Sequence, residues 1–182
     1  MTRVVLESSD RSRACFGLKG PSAADWLTAQ GIDVPRASNT WTRLGGGADG
    51  EGLLAARLGA SEFFFEHAAS DAAAARMSAA LIGYPRGVYP VLREDRAFVL
   101  GGEGVHDVLA QICNVNFAEL SLETHPLIMT LMIGVAVLVV PEAAADGRRY
   151  RIWCDPTFGT YLQESVGVVV VECGGRYTGA SV

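Results

Sequence analysis

The stretch FGLKGPSAADWL, Phe16 to Leu27, returns further along the chain as FVLGGEGVHDVL, Phe98 to Leu109. Aligned without gaps, both copies follow the pattern F-x-L-x-G-x-x-x-x-D-x-L. The Phe-x-Leu alternation suits a strand with one buried face, and the glycine after it permits a tight turn that a Cβ would resist. In the second copy Val105, Val108, Leu109 and Ile112 fall at i, i+3, i+4 and i+7, one face of a helix; Ala23, Trp26 and Leu27 begin the same face in the first. Asp25 and Asp107 stand in the first helical turn, where free N–H groups and the helix dipole favour a carboxylate. The repeated unit is strand, glycine turn, amphipathic helix. A chain that carries it twice is expected to fold as two like halves.

The rest of the sequence extends each unit in the same order. After the first helix, Ala37 to Leu44 reads as a strand and GGGADGEG, Gly45 to Gly52, as a flexible glycine loop. LLAARL and EFFFEH form a hairpin through Gly59, Ala60 and Ser61. SDAAAARMSAALIG is a second helix, with Ser70 or Asp71 as its N-cap and Gly83 placed to end it. GVYPVLRE closes the half. In the second half NVNFAEL reads as a strand, LIMTLMIGVAVLVV (Leu127 to Val140) as one long buried strand, PEAAADGRR as a hairpin loop and YRIWC as a strand. Asp155 and Pro156 start a helix lined on one face by Phe158, Tyr161 and Leu162, because Asp caps free N–H groups and Pro loses no bond at the first helical position. VGVVVVEC is read as the final strand and RYTG, Arg176 to Gly179, as a tail. The expectation is one domain over residues 1–182, built of two repeats at about 13–92 and 93–173, each β-α-β-β-β-α-β or a close variant. That is an α+β fold with helices packed on antiparallel sheets. Leu127 to Val140 and Val166 to Val171 are apolar at almost every position, so each is expected to be covered on both faces.

Composition narrows the function. A chain of 182 residues that is 49% hydrophobic has material for a real core. A net charge of −5 without a basic cluster argues against a nucleic-acid surface. Lys19 is the one lysine among 15 basic residues, an arginine bias without the spacing of a forked anion site. Cys15, Cys113, Cys154 and Cys173 stand singly, as reduced thiols of a cytoplasmic protein do, and no export-type apolar segment opens the sequence. Leu127 to Val140 is too short for the roughly 20 residues of a spanning helix, so no membrane association is expected.

Chemistry-bearing residues are sparse. His67, His106 and His125 lack metal-ligand spacing, and His106 reads as a solvated helix residue beside Asp107. The glycine loop ends in neither G-K-[ST] nor a helix-opening G-x-G-x-x-G. Lys19 precedes a helix N-terminus and would suit an anion, yet the second copy places Glu103 near the same position. Asp49 and Glu51 are ordinary loop acids. No catalytic residue and no metal site is read from the sequence.

GLKGPSAADWL, then Asn39, RLGASEFFFE, LAQICNVNF and DPTFGTYLQESV resemble, in that order, the gamma subunit of heterotetrameric sarcosine oxidase, and more widely the aminomethyltransferase (T-protein) group of the glycine cleavage system. The resemblance runs from about Arg13 to Val171. It implies two duplicated ferredoxin-like β-α-β-β-α-β halves in an aminomethyltransferase-like folate-binding fold. It also implies a small, non-catalytic subunit of a bacterial, cytoplasmic complex, whose larger alpha and beta subunits hold FAD, FMN, NAD and tetrahydrofolate while this chain binds none of them. The chain departs from the aminomethyltransferases where they carry an acidic pair after a double glycine, since here GGADGEGLL leaves Glu51 as the nearest acid, and where Ala180 follows RYTG in place of glutamate. Asn39 and Glu51 are the cofactor-binding candidates. The alternative is a stand-alone folate-binding, aminomethyltransferase-like protein.

Overall fold

The computed structural model describes residues 4–8, 13–45, 52–145 and 147–178. It divides into two units, one of Asp10–Glu94 and one of Met1–Ser9 together with Asp95–Val182. The first described strand, β1 (Val4–Ser8), belongs to the latter.

The Asp10–Glu94 unit runs β2 (Arg13–Lys19), α1 (Ala23–Ala29), β3 (Thr40–Leu44), β4 (Leu53–Arg57), β5 (Glu62–Ala68), α2 (Ala72–Leu81) and β6 (Tyr89–Arg93). Its antiparallel sheet has the order β3-β4-β5-β2-β6. Leu18, Leu53, Ala55, Phe63 and Phe65 pack with Ala23 and Leu27 of α1 and Met77 of α2 into one core. Phe63, Phe64 and Phe65 are all fully buried, so β5 is covered on both faces. Asp71 caps α2 by accepting the Ala74 N–H at 2.9 Å. Asp71→Ala is expected to cost about 1 kcal/mol, read as a lower urea midpoint with an unchanged slope. The helix ends at Leu81 with Ile82 as its C-cap, just ahead of Gly83 as its position suggested, and the left-handed residue of the turn is Tyr84, at φ 48°.

The other unit runs, after β1, through β7 (Arg96–Gly102), α3 (Val105–Ile112), a 3-10 turn Phe117–Glu119, β8 (Ile128–Met132), β9 (Val135–Ala144), β10 (Gly147–Cys154), a 3-10 turn Pro156–Phe158, α4 (Gly159–Glu172) and β11 (Arg176–Thr178). Its sheet order is β11-β1-β7-β10-β9-β8. Matching β2 to β7 and each later strand to its counterpart gives one order for both sheets, except that β1 is inserted between β7 and β11. Because β1 is antiparallel to β7 and parallel to β11, the last strand keeps the direction that β6 has beside β2. The repeated glycine does the same work twice: Gly20 and Gly102 both have positive φ, 130° and 105°. A Cβ on Gly20 would lie 2.3 Å from the Gly87 carbonyl oxygen, so the turn admits only glycine.

Local expectations are corrected at several points in this unit. VGVVVVEC is not a strand but the second half of α4. A run of valines hides its period, yet the buried positions Leu162, Val166 and Val170 recur at four-residue steps and Gly167 lies against the Tyr177 ring, so packing overrides β propensity. The true last strand is β11, made from the segment read as a tail. Leu127 to Val140 is a hairpin whose turn residues Ile133 and Gly134 have φ 48° and 80°, a primed turn that a β-branched residue does not advertise. Within it Met129 and Leu131 are half-exposed, so β8 is covered on one face only. NVNFAEL forms the 3-10 turn, and most of PEAAADGRR is paired strand, with Ala144 opposite Gly147. Of the helix-face trio only Leu162 is buried; Phe158 and Tyr161 are each 52% exposed. Among the described residues no helix is long and apolar enough to cross a membrane.

Candidate functional site

Polar chemistry in the Asp95–Val182 unit converges on Tyr150. Strand alternation sends this β10 side chain into the core, where it is fully buried. Its hydroxyl lies 2.7 Å from His106 Nε2 on α3, and the Arg148 charge acts on both groups. The two side chains share one hydrogen bond, donated by the phenol to an unprotonated Nε2 or by Nε2–H to the phenol oxygen according to the imidazole tautomer. Arg148 Nη1 also donates to the Phe117 carbonyl at 2.9 Å. The rings of His106 and Phe117 meet Tyr150 edge to face, with centroids 5.9 and 5.3 Å away. One tyrosine and one arginine thus tie the start of α3 to the Cys113–Phe117 segment.

Those two elements bound a surface cleft of about 340 Å³, lined by His106 and Leu109 of α3 and by Cys113, Asn114, Asn116 and Phe117. The C-N-V-N-F motif is its wall. Cys113 forms a single antiparallel bridge to Met132 and its Sγ lies 3.6 Å from Thr130 Oγ1, so the wall is braced on β8. Burial, and then the Arg148 charge, lower the His106 pKa, with Asp107 opposing; burial raises that of Tyr150. At neutral pH the pair is an imidazole and a phenol. Because the folded His106 binds its proton less readily than the unfolded one, the unfolded state takes up more protons between the folded pKa and about 6.5, and stability falls as pH falls through that window. His106→Gln is expected to flatten this acid limb, which chemical denaturation at stepped pH would register. The Cys154 thiol, pushed up to about 11 by burial and by Asp95 and Asp155, is inert at neutral pH.

The structure places the sequence candidates elsewhere. Asn39 is exposed in the Asp10–Glu94 unit, at φ 58°, in the turn before β3, with its N–H donated to the Arg57 carbonyl at 2.7 Å. Arg57 holds that turn from the other side by donating to the carbonyls of Arg36 and Ala60. Asp49 and Glu51 lie outside the described residues. His67 Nδ1 donates to the Ala68 carbonyl at 2.8 Å. Lys19 is exposed, and α1, seven residues long, has no side-chain cap. His106 is not a solvated helix residue: it is half-buried and engaged. No spacing signalled this, because His106 and Tyr150 are 44 positions apart. Among the described residues no group of three or more His, Cys, Asp and Glu side chains is placed to hold a metal ion.

Two units that share one strand order apart from the inserted β1, each packing its helices on a sheet that is antiparallel except at the β1–β11 pair, define the T-protein-like, aminomethyltransferase-type fold. The solved structures that share it include a heterotetrameric sarcosine oxidase from Corynebacterium sp. U-96 in complex with pyrrole 2-carboxylate, with a TM-score of 0.71 and 19% identity over 98% of this chain and 87% of that one. They also include the glycine cleavage system aminomethyltransferase T from Bartonella henselae, with a TM-score of 0.67 and 14% identity over 96% of this chain. This chain covers 47% of that aminomethyltransferase. No family model matches the chain, and no curated protein is significantly similar to it in sequence. At these identities the likeness is one of fold.

Proposed function

We propose that this chain is a small, non-catalytic subunit of a cytoplasmic sarcosine-oxidase-like flavoenzyme complex. In this reading larger alpha and beta subunits hold FAD, FMN, NAD and tetrahydrofolate, and the complex oxidatively demethylates sarcosine or a related N-methyl amino acid with tetrahydrofolate as one-carbon acceptor. The observation that carries it is the extent of the likeness: 87% of the sarcosine oxidase chain is covered, against 47% of the aminomethyltransferase. The chemistry agrees. Oxidation of an N-methyl group needs a hydride acceptor, which no ordinary side chain provides, so a flavin of a partner performs that step. A neutral His106 hydrogen-bonded to Tyr150 orients groups but accepts no hydride.

The alternative, a stand-alone folate-binding aminomethyltransferase-like protein, draws on the second likeness, which spans 96% of this chain. Affinity purification of the tagged chain from its own cells separates the two. The subunit reading expects a recovered complex with flavin absorbance and sarcosine-dependent peroxide formation, and a colourless, inactive chain when it is produced alone. Stoichiometric flavin on the isolated chain, or recovery without any flavoprotein, would overturn it. Micromolar tetrahydrofolate binding to the isolated chain by calorimetry would favour the alternative.

A further inference from the structure

Helix α4 is apolar on both of its faces. Leu162, Val166 and Val170 point into the core, while on the opposite side Tyr161, Val168 and Val171 are 52%, 58% and 59% exposed. Positions 161, 164, 168, 171 and 172 fall on one stripe of a 3.6-residue period, and all of them are exposed. A helix on the outside of a domain turns charged and polar residues to water, whereas one that is apolar all round is a buried helix. Valine sharpens the point, because it is a weaker helix former than the polar residues that suit a wet position. The neighbouring α3 follows the ordinary rule, with Val105, Val108, Leu109 and Ile112 inside and Asp107 and Gln111 outside.

The stripe is apolar at its centre and acidic at its edges. Glu164 and Glu172 stand about one turn before and one turn after Val168, on either side of it, and both are exposed. Asp107 carries the same sign onto α3, whose Gln111 amide lies 3.2 Å from Cys173 Sγ at the end of α4. Neither helix contains a lysine or an arginine. On the strands packed against α4, Arg96 lies under the buried Gly159, and Arg176 alternates with Tyr177, whose ring meets Gly167, so it leaves β11 on the far side. This charge pattern selects the occupant. In a second copy packed antiparallel about Val168, each Glu164 would meet Glu172 of the copy; packed parallel, each would meet its own equivalent. Both arrangements set like charges together with no base between them, which disfavours self-association. An anionic membrane surface is repelled for the same reason.

We propose that this face of α4 docks a different protein chain, one that meets it with an apolar strip flanked by lysines or arginines. Tyr161, Val168 and Val171 form the dry centre of the contact. Glu164 and Glu172 pair with the partner's bases at the rim, where charges fix register and speed association. That the partner is one of the larger subunits rests on the subunit reading given above; the docking face and the charge of its partner do not.

Photo-cross-linking tests this, with benzoylphenylalanine in place of Val168 in the full, tagged chain expressed in its own cells, and the same group in place of the exposed Ala75 on α2 as control. The expected product joins position 168 to one other protein, at a segment with apolar residues and at least two lysines or arginines within about two helical turns. The control position is expected to give about a tenth of that yield or less. Reversing the rim with Glu164→Lys and Glu172→Lys is expected to lower the yield from position 168 about tenfold at an unchanged melting temperature. A flavoprotein as the cross-linked partner supports the subunit reading as well, whereas a partner without flavin on a basic segment supports the docking face and counts against that reading. Cross-linking to a second copy, to lipid or to a segment without bases would overturn the proposal, as would no product above the control. A yield unchanged in a folded lysine double variant would overturn it too. If that variant does not fold, the mapped segment from position 168 decides alone.

Discussion

Glu66→Ala is expected to lower the unfolding free energy by about 3–5 kcal/mol, one of the two largest single-site effects in this chain. Glu66 sits on β5 with 1% of its side chain exposed, and Arg13 Nε on β2 donates to its Oε2 at 3.2 Å. The Arg13 side chain is itself only 12% exposed. Truncating the acid leaves a largely buried guanidinium without its carboxylate, which is why breaking such a pair costs more than the pair contributes. Arg13 Nη2 also donates to the Gly52 carbonyl at 3.2 Å, and Gly52 is held so tightly that a Cβ on it would lie 2.0 Å from the Gly45 carbonyl oxygen. The pair therefore anchors the start of β4 on β2. Thermal unfolding should register the change as a fall of about 10 °C in Tm. Arg13→Met combined with Glu66→Leu should recover most of it, since an apolar pair leaves no charge behind. A Glu66→Ala chain that melts like the parent would show that the pair is not buried as described.

Val170→Asp and Val168→Asp should differ just as sharply, although the residues are two positions apart. Val170 is fully buried in the core with Val166 and Leu162, whereas Val168 is 58% exposed. An aspartate at position 170 buries a charge with no partner and is expected to cost about 4 kcal/mol or more, enough to unfold a domain of ordinary stability. At position 168 the same change meets water and costs about 1 kcal/mol or less, mostly from lower helix propensity and a carboxylate near the helix C-terminus. Residues two apart share a face in a strand and oppose each other in a helix. Equal damage from both variants would thus restore the strand reading of VGVVVVEC; circular dichroism with urea titration of each decides it.

The reading of that segment failed for a specific reason. Alternation and helical period both need polar residues to mark the exposed face, and a stretch of valines marks neither. The Ile133–Gly134 turn escaped for a related cause: glycine advertised one left-handed residue, but a β-branched isoleucine is the last residue type expected to supply the other. What was legible rested on neighbours in the chain. The F-x-L-x-G repeat located both strand-to-helix turns, Asp71 capped the helix that follows it, and the short Gly59–Ser61 link made a hairpin.

The site divides in the same way. The C-N-V-N-F segment was visible as a motif, and the structure shows it as the wall of a cleft. The residues that brace that wall, Arg148 and Tyr150, gave no signal, because a hydrogen bond between α3 and β10 is made by sheet order rather than by spacing. By itself the sequence determined the duplication, the α+β class and the turns, all of which follow from backbone preferences and burial periods acting over a few residues. Only the tertiary structure decided that β1 is inserted between β7 and β11, that a valine run becomes helix, and that a histidine, a tyrosine and an arginine meet at one cleft. Those outcomes turn on which surfaces are buried against which, and burial is a property of the packed chain, not of any segment in it.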